Sequence, residues 1–164
     1  MKKFLCVFLA LFTLMLTGCS GGKEVYSGER YEFAYDPDKW ELTAVSANGL
    51  TSFKSKDYDG VHLDVHSYVP EKEINLEEWL ERLKESGKAI GCVHDSGEIF
   101  DIDGREWCRE EHHQELGENT SKYVNFLTYS GEYAYIIGFT SDIDSFDKCT
   151  KEFEEIFDSF KIIE

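Results

Sequence analysis

The sequence predicts an α+β domain built from an antiparallel sheet and two helices, and three observations predict it. Val61-His62-Leu63-Asp64-Val65-His66 alternates apolar and polar residues with the period of two of a half-buried strand. Two later segments repeat apolar residues at the helical period of 3.6. Short turn signals built on Gly, Asn and Asp separate the extended runs, which favours antiparallel neighbours.

Taken in order, Tyr31 to Tyr35 is extended, Asp36-Pro37-Asp38 breaks it, and Trp40 opens a second extended piece toward Val45. The Ala47-Asn48-Gly49 turn leads to a strand from Leu50 to Lys54. Tyr58-Asp59-Gly60 then leads into the alternating segment, with Val61, Leu63 and Val65 facing inward, and Pro70 closes it.

Asn75 opens the first helix as its N-cap, with Glu78 three residues on and Ile74 placed to staple onto Trp79. Leu76, Trp79, Leu80 and Leu83 form its apolar face, and Gly87 is the expected left-handed stop. Ile90 to Ile102, Asp103-Gly104 and Arg105 to Glu115 form a long hairpin, because Asp-Gly suits a type I′ turn. Gly117-Glu118-Asn119 and Ser130-Gly131-Glu132 frame strands Ser121 to Tyr129 and Tyr133 to Thr140, completing a four-stranded meander. The second helix runs from about Ile143 to Ser159, and Phe146, Phe153, Ile156, Phe157 and Phe160 give it a wide face that must cover a sheet. No repeat or linker interrupts Tyr26 to Ile163, so one domain is expected.

The first residues have the three zones of a signal peptide: Lys2 and Lys3, an apolar run from Phe4 to Leu16, and the small residues Thr17 and Gly18. The run is shorter than the 18 or more residues expected of a spanning helix. Leu16-Thr17-Gly18-Cys19 resembles the bacterial lipobox. The thiol of Cys19 is therefore the expected site of diacylglycerol attachment after cleavage, and two acyl chains anchor stably where one does not. The expected organisation is a signal peptide over 1–18, the lipidated cysteine and a short tether over 19–25, and the domain over 26–164.

Cleavage removes two lysines and no acid, so 33 acidic residues face 15 basic ones and the formal charge moves from −16 to −18. A field of that sign repels phosphate backbones and anionic head groups, so no nucleic-acid partner is expected, and the membrane is met through the lipid on Cys19. Solubility of a tethered domain accounts for the charge.

His62, Asp64 and His66 alternate on one face of a strand, and His94, His112 and His113 lie on the hairpin, read as its neighbour. Imidazole and carboxylate suit zinc, copper or nickel. Groups two apart on a strand sit about 6.5–7 Å from one another, however, so His62, Asp64 and His66 need a neighbouring strand's help to meet one ion. A solvated polar face explains them with fewer assumptions.

Ser145-Phe146-Asp147-Lys148 matches Ser-x-x-Lys, but the Ser-Asp-Asn and Lys-Thr-Gly elements that accompany it in penicillin-recognising enzymes are missing. Helix capping and a surface lysine suffice. No nucleophile elbow, His-Glu-x-x-His or phosphate-binding glycine loop occurs, and neither catalysis nor a cofactor is expected.

Beyond Cys19, Cys92, Cys108 and Cys149 are an odd set with no zinc spacing. A two-residue turn pairs Ile99 with Cys108 and Cys92 with Glu115, so Cys92 and Cys108 differ in facing parity unless a bulge intervenes. Cys149 is expected to be a buried thiol, with a Cys108 to Cys149 bridge left open. Trp40, Trp79, Trp107 and most tyrosines are expected in the core, while Tyr123, Tyr129, Tyr133 and Tyr135 fall on either face of the meander.

The order Tyr31-x-Phe33-x-Tyr35-x-Pro37-x-x-Trp40, the capped helix with Leu76 and Trp79, Ile102-Asp103-Gly104-Arg105, Tyr133-x-Tyr135-Ile136-Ile137-x-Phe139 and Ile156-x-x-Ser159-Phe160 resembles the PsbP-like and Mog1-like family. That resemblance implies an antiparallel sheet flanked by helices in an α/β/α sandwich, used as a non-enzymatic binding or assembly module. It rests on core, turn and cap positions, so it speaks to fold. The expectation is a membrane-anchored extracytoplasmic lipoprotein acting on a protein partner. The alternative is a small-ligand or metal-binding lipoprotein using a cleft or the His62, Asp64, His66 face.

Overall fold

The computed structural model describes residues 22–72, 74–117 and 119–163. The expected signal peptide and lipidation site, residues 1–18 and Cys19, lie outside the described residues. Among the described residues ten strands and two helices follow in order: β1 (Glu24–Ser27), β2 (Tyr31–Tyr35), β3 (Trp40–Val45), β4 (Leu50–Ser55), β5 (His62–Tyr68), α1 (Leu76–Ala89), β6 (Cys92–Ile102), β7 (Arg105–Leu116), β8 (Asn119–Ser130), β9 (Tyr133–Asp142), α2 (Ile143–Asp158) and β10 (Lys161–Ile162).

The expected four-stranded meander, β6 to β9, is part of a seven-stranded antiparallel sheet of order β3-β4-β5-β9-β8-β7-β6. Alternation along the strands sorts residues onto two faces. Leu63, Val65, Val124, Phe126, Ile137 and Phe139 point to one face and pack with Phe146, Phe153, Ile156 and Phe157 of α2. Cys108, Leu127 and Ala134 point to the other and pack with Leu76 and Leu80 of α1. The helices therefore lie on opposite sides of the sheet, the layering that the α+β sandwich requires.

A second sheet of order β1-β2-β10 covers the α2 side further. The strands β2 and β3, separated by the Asp36-Pro37-Asp38 break, belong to different sheets. Phe33 packs on Phe53 with ring centres 5.6 Å apart. The amide of Ala34 donates to Ser159 Oγ at 2.8 Å, tying β2 to the end of α2. Glu24 and Val25, assigned to the tether from sequence, are paired in β1 with Tyr35 and Ala34.

Asn75 caps α1 as expected, its side chain accepting from the Glu78 amide at 2.7 Å. Gly87 does not stop the helix. The chain turns four residues later at Gly91, which takes φ +81 after the Ile90 amide has bonded back to the Gly87 carbonyl at 3.1 Å. Asp103 and Gly104 both adopt positive φ, 54° and 80°, giving the expected type I′ turn. Ile99 pairs with Cys108, but Cys92 pairs with Gln114 instead of Glu115, because a bulge at Asp95 shifts the register between His94 and Ser96.

Cys92, Cys108 and Cys149 are buried free thiols. The alternative left open from sequence is thereby decided. Cys108 sits on the sheet beneath α1 and Cys149 on the buried face of α2 itself, so the sheet separates them and no bridge can form.

Candidate functional site

Four residues of β7 that share one face, Cys108, Glu110, His112 and Gln114, lie on the α1 side of the sheet. The helix covers only part of that side. Glu110 is 2% exposed, a carboxylate carried into the layer beneath α1 by its two-residue offset from the buried Cys108. Gly97 stands opposite Glu110 in β6, and a side chain there would come 2.7 Å from Leu80 Cδ1, so the glycine lets α1 pack directly on the strand.

A buried carboxylate needs partners, and Glu110 has three. His112 Nδ1 donates to Oε1 at 2.8 Å and to Oε2 at 3.0 Å. Asn125 Nδ2 donates to Oε2 at 3.1 Å from the neighbouring β8. His94 Nδ1 approaches Oε1 at 3.4 Å from β6, brought there by the bulge at Asp95. Burial pushes the carboxyl up, but the His112 and Asn125 hydrogen bonds with the nearby imidazole charge more than offset this and hold it below its ordinary range. The Tyr123 ring stacks on His112 at 4.6 Å, fixing the imidazole plane.

A cavity of about 110 Å³ opens between this cluster and α1, lined by Leu83, Lys84, Cys92, His94, Glu110 and His112 among others. The Cys92 thiol at its edge is raised above its ordinary value by burial and by the charge of Glu110. Among the described residues, the hydrogen bonds of His94 and His112 go to Glu110, and none goes to a serine, threonine or cysteine side chain.

Of the histidines named from sequence, His94 and His112 meet at Glu110, but the set on β5 does not join them. The strands β9 and β8 stand between β5 and the hairpin, so the hairpin is not the neighbour of His62, Asp64 and His66. Asp64 accepts from Ser52 Oγ at 2.5 Å, and His66 Nε2 donates to the Asn48 carbonyl at 3.0 Å. His62 is exposed beside Lys54 and Thr140. His113 points to the opposite side of the hairpin from His112 and donates to Asp95 at 2.8 Å. Among the described residues, no group of three His, Cys, Asp or Glu side chains is arranged to hold a metal ion.

Ser145 sits in the first turn of α2, where its amide donates to the Asp142 side chain at 2.9 Å, and Lys148 is exposed. Trp40, Trp107 and Tyr135 are buried in the core. Trp79 packs against the α1 cluster, Tyr129 does likewise, and Tyr133 borders the α2 side.

Glu110 was the residue that sequence reasoning missed. One signal pointed to it: the Ile99 to Cys108 pairing puts Glu110 opposite Gly97, an acid facing a position with no side chain on a covered surface.

No family model matches the chain, and no curated protein matches it either. Solved structures do. Cyanobacterial PsbP (CyanoP) from Synechocystis sp. PCC 6803 superposes with a TM-score of 0.70 at 18% identity, over 90% of this chain and 99% of that one. LpqN of Mycobacterium tuberculosis, described as involved in cell envelope biogenesis, gives 0.60 at 11% identity over 90% and 87%. A Pseudomonas aeruginosa protein of unknown function, described as a putative regulator, gives 0.60 at 8% identity over 84% and 94%. Identities this low carry the fold and not the task. The chain therefore has the PsbP-like α+β fold, an antiparallel sheet with a helix on each face.

Proposed function

We propose that this protein is a lipid-anchored extracytoplasmic accessory lipoprotein that binds a protein partner and catalyses no reaction. The observation that carries the reading is the interval between the lipobox and the fold. Cys19 is followed by four residues before β1 begins at Glu24. At about 3.3–3.6 Å per residue those four span at most about 14 Å, so the lipidated domain works close to the membrane surface. The last of them, Lys23, pairs with Glu155 of α2 at 2.7 Å, which supports an anchor on that side of the domain.

Other features agree. The Glu110 cluster spends its acceptors on internal donors and, among the described residues, brings no hydroxyl or thiol into hydrogen bond with its imidazoles, as a structural network does. The likeness in fold to LpqN, described as involved in cell envelope biogenesis, agrees with an envelope location. A metal-carrier role on His62, Asp64 and His66 is disfavoured because Asp64 and His66 are engaged by Ser52 and Asn48.

The test is metabolic labelling with an alkyne-tagged fatty acid, followed by crosslinking and affinity purification in the native host, with Cys19→Ala as control. Label on the wild-type chain, lost in the control, together with one discrete protein enriched only by the wild type, is the expected result. A Cys19→Ala chain that keeps both its membrane retention and its partner would overturn the reading.

A further inference from the structure

A second cleft lies away from Glu110, where the Gly28–Arg30 turn between β1 and β2 faces the β3–β4 turn, the end of β5 and the start of β9. It encloses about 430 Å³, within the range of small-molecule sites. Its floor is fixed: Tyr31 donates to Thr51 Oγ1 at 2.7 Å, and the Tyr26 hydroxyl lies 3.0 Å from the same atom. Its wall carries Tyr26, Tyr31 and Tyr133, which share the α2 side of the sheet, and its rim carries Val45 and Val69, which are 62% and 54% exposed. Two exposed valines beside three tyrosines make an amphipathic wall that suits a flat ring.

Arg30 supplies the charge. Its guanidinium lies 3.6 Å from the centre of the Tyr133 ring. Arg82 and Arg109 each meet a carboxylate, whereas Arg30, in a chain with 33 acidic residues, has no carboxylate partner among the described residues. A half-buried guanidinium with unused planar donors is matched by a carboxylate, which it can hold through two parallel hydrogen bonds. The exposed Glu29 carboxylate lines the same cleft and the chain's net charge is −16, so multiply charged anions are disfavoured and the one cation, Arg30, selects a monoanion.

From this geometry we propose that the Arg30–Tyr133 cleft binds a small monocarboxylate with a ring-shaped body. The carboxylate pairs with Arg30 and the ring packs between the tyrosines and the Val45–Val69 rim.

The test is isothermal titration calorimetry of the full chain in phosphatidylcholine nanodiscs, with empty nanodiscs as blank. The probes are N-acetyltyrosine, phenylacetate and indole-3-acetate, each beside its neutral amide. At least one acid is expected to bind saturably, with its amide at least about tenfold weaker, since the amide forfeits the charge-assisted pair. Arg30→Gln is expected to erase the difference between acid and amide. Val45→Asp, an exposed change that leaves the core intact, is expected to weaken acid and amide alike through the lost ring contact, and the acid further, to about tenfold or more in all, through charge repulsion. Unchanged melting temperatures establish that both variants are folded. No saturable binding by any acid, equal binding of acid and amide, or binding indifferent to both substitutions would overturn the assignment.

Discussion

His112 Nδ1 lies 2.8 Å from Oε1 of Glu110, and that contact keeps a carboxylate ionised beneath α1 where only 2% of the residue meets solvent. Removing one member of such a network costs more than the contact itself contributes, because the remaining partners keep their desolvation and lose their bond. Glu110→Gln is expected to lower the unfolding free energy by about 1–3 kcal/mol at neutral pH, read by urea denaturation.

The same carboxyl gives a pH signature. Its folded value lies below the value of 4.5 ordinary for the group, so the unfolded chain takes up the proton first as acid is added. The contribution is fully present above about pH 4.5 and is lost as pH falls through the lower folded value. Denaturation midpoints followed between pH 6 and pH 3 are expected to fall, and Glu110→Gln is expected to fall less steeply over that window. Parallel curves for the two proteins would remove Glu110 as a source of acid sensitivity.

The domain's thiols are expected to be inert while it is folded. Burial pushes Cys108 and Cys149 each to about 11, far above neutral pH, and raises Cys92 as well. Ellman's reagent should therefore react with them only on unfolding, and mass spectrometry after mild oxidation should find no Cys108 to Cys149 cross-link.

Gly49 is held by more than its conformation. It takes φ +82, and a side chain there would stand 2.1 Å from the Ser67 carbonyl oxygen of β5, a backbone atom that cannot swing aside. Gly49→Ala is expected to cost about 2–4 kcal/mol by denaturant unfolding. Gly60→Ala, at φ +72 with no atom within 4 Å, should cost only about 1 kcal/mol.

Asn75 contributes through its side-chain oxygen, which accepts the Glu78 amide at the start of α1. Asn75→Ala is expected to cost about 1 kcal/mol, and Asn75→Asp is expected to restore most of it. Thermal melts of the three proteins check this order.

The sequence by itself determined whatever depends on neighbours along the chain. The capped start of α1, the Asp103-Gly104 turn, the inward set Val61, Leu63 and Val65, and the aromatic face of α2 each follow from residues within a few positions of one another. The resemblance of Leu16-Thr17-Gly18-Cys19 to a lipobox is equally local, so the expectation of lipidation at Cys19 needs no fold. Tertiary structure decided what depends on register and strand order. The bulge at Asp95 adds one residue to β6, and that single step turns Cys92 and His94 onto the face of Glu110. Placing β9 and β8 between β5 and β7 parted the histidines that alternation had suggested as one set. The Tyr26, Arg30 and Tyr133 cleft joins residues about a hundred positions apart. The physical reason is common to all three: strand alternation fixes a residue's face to within parity, but only long-range pairing fixes which faces meet.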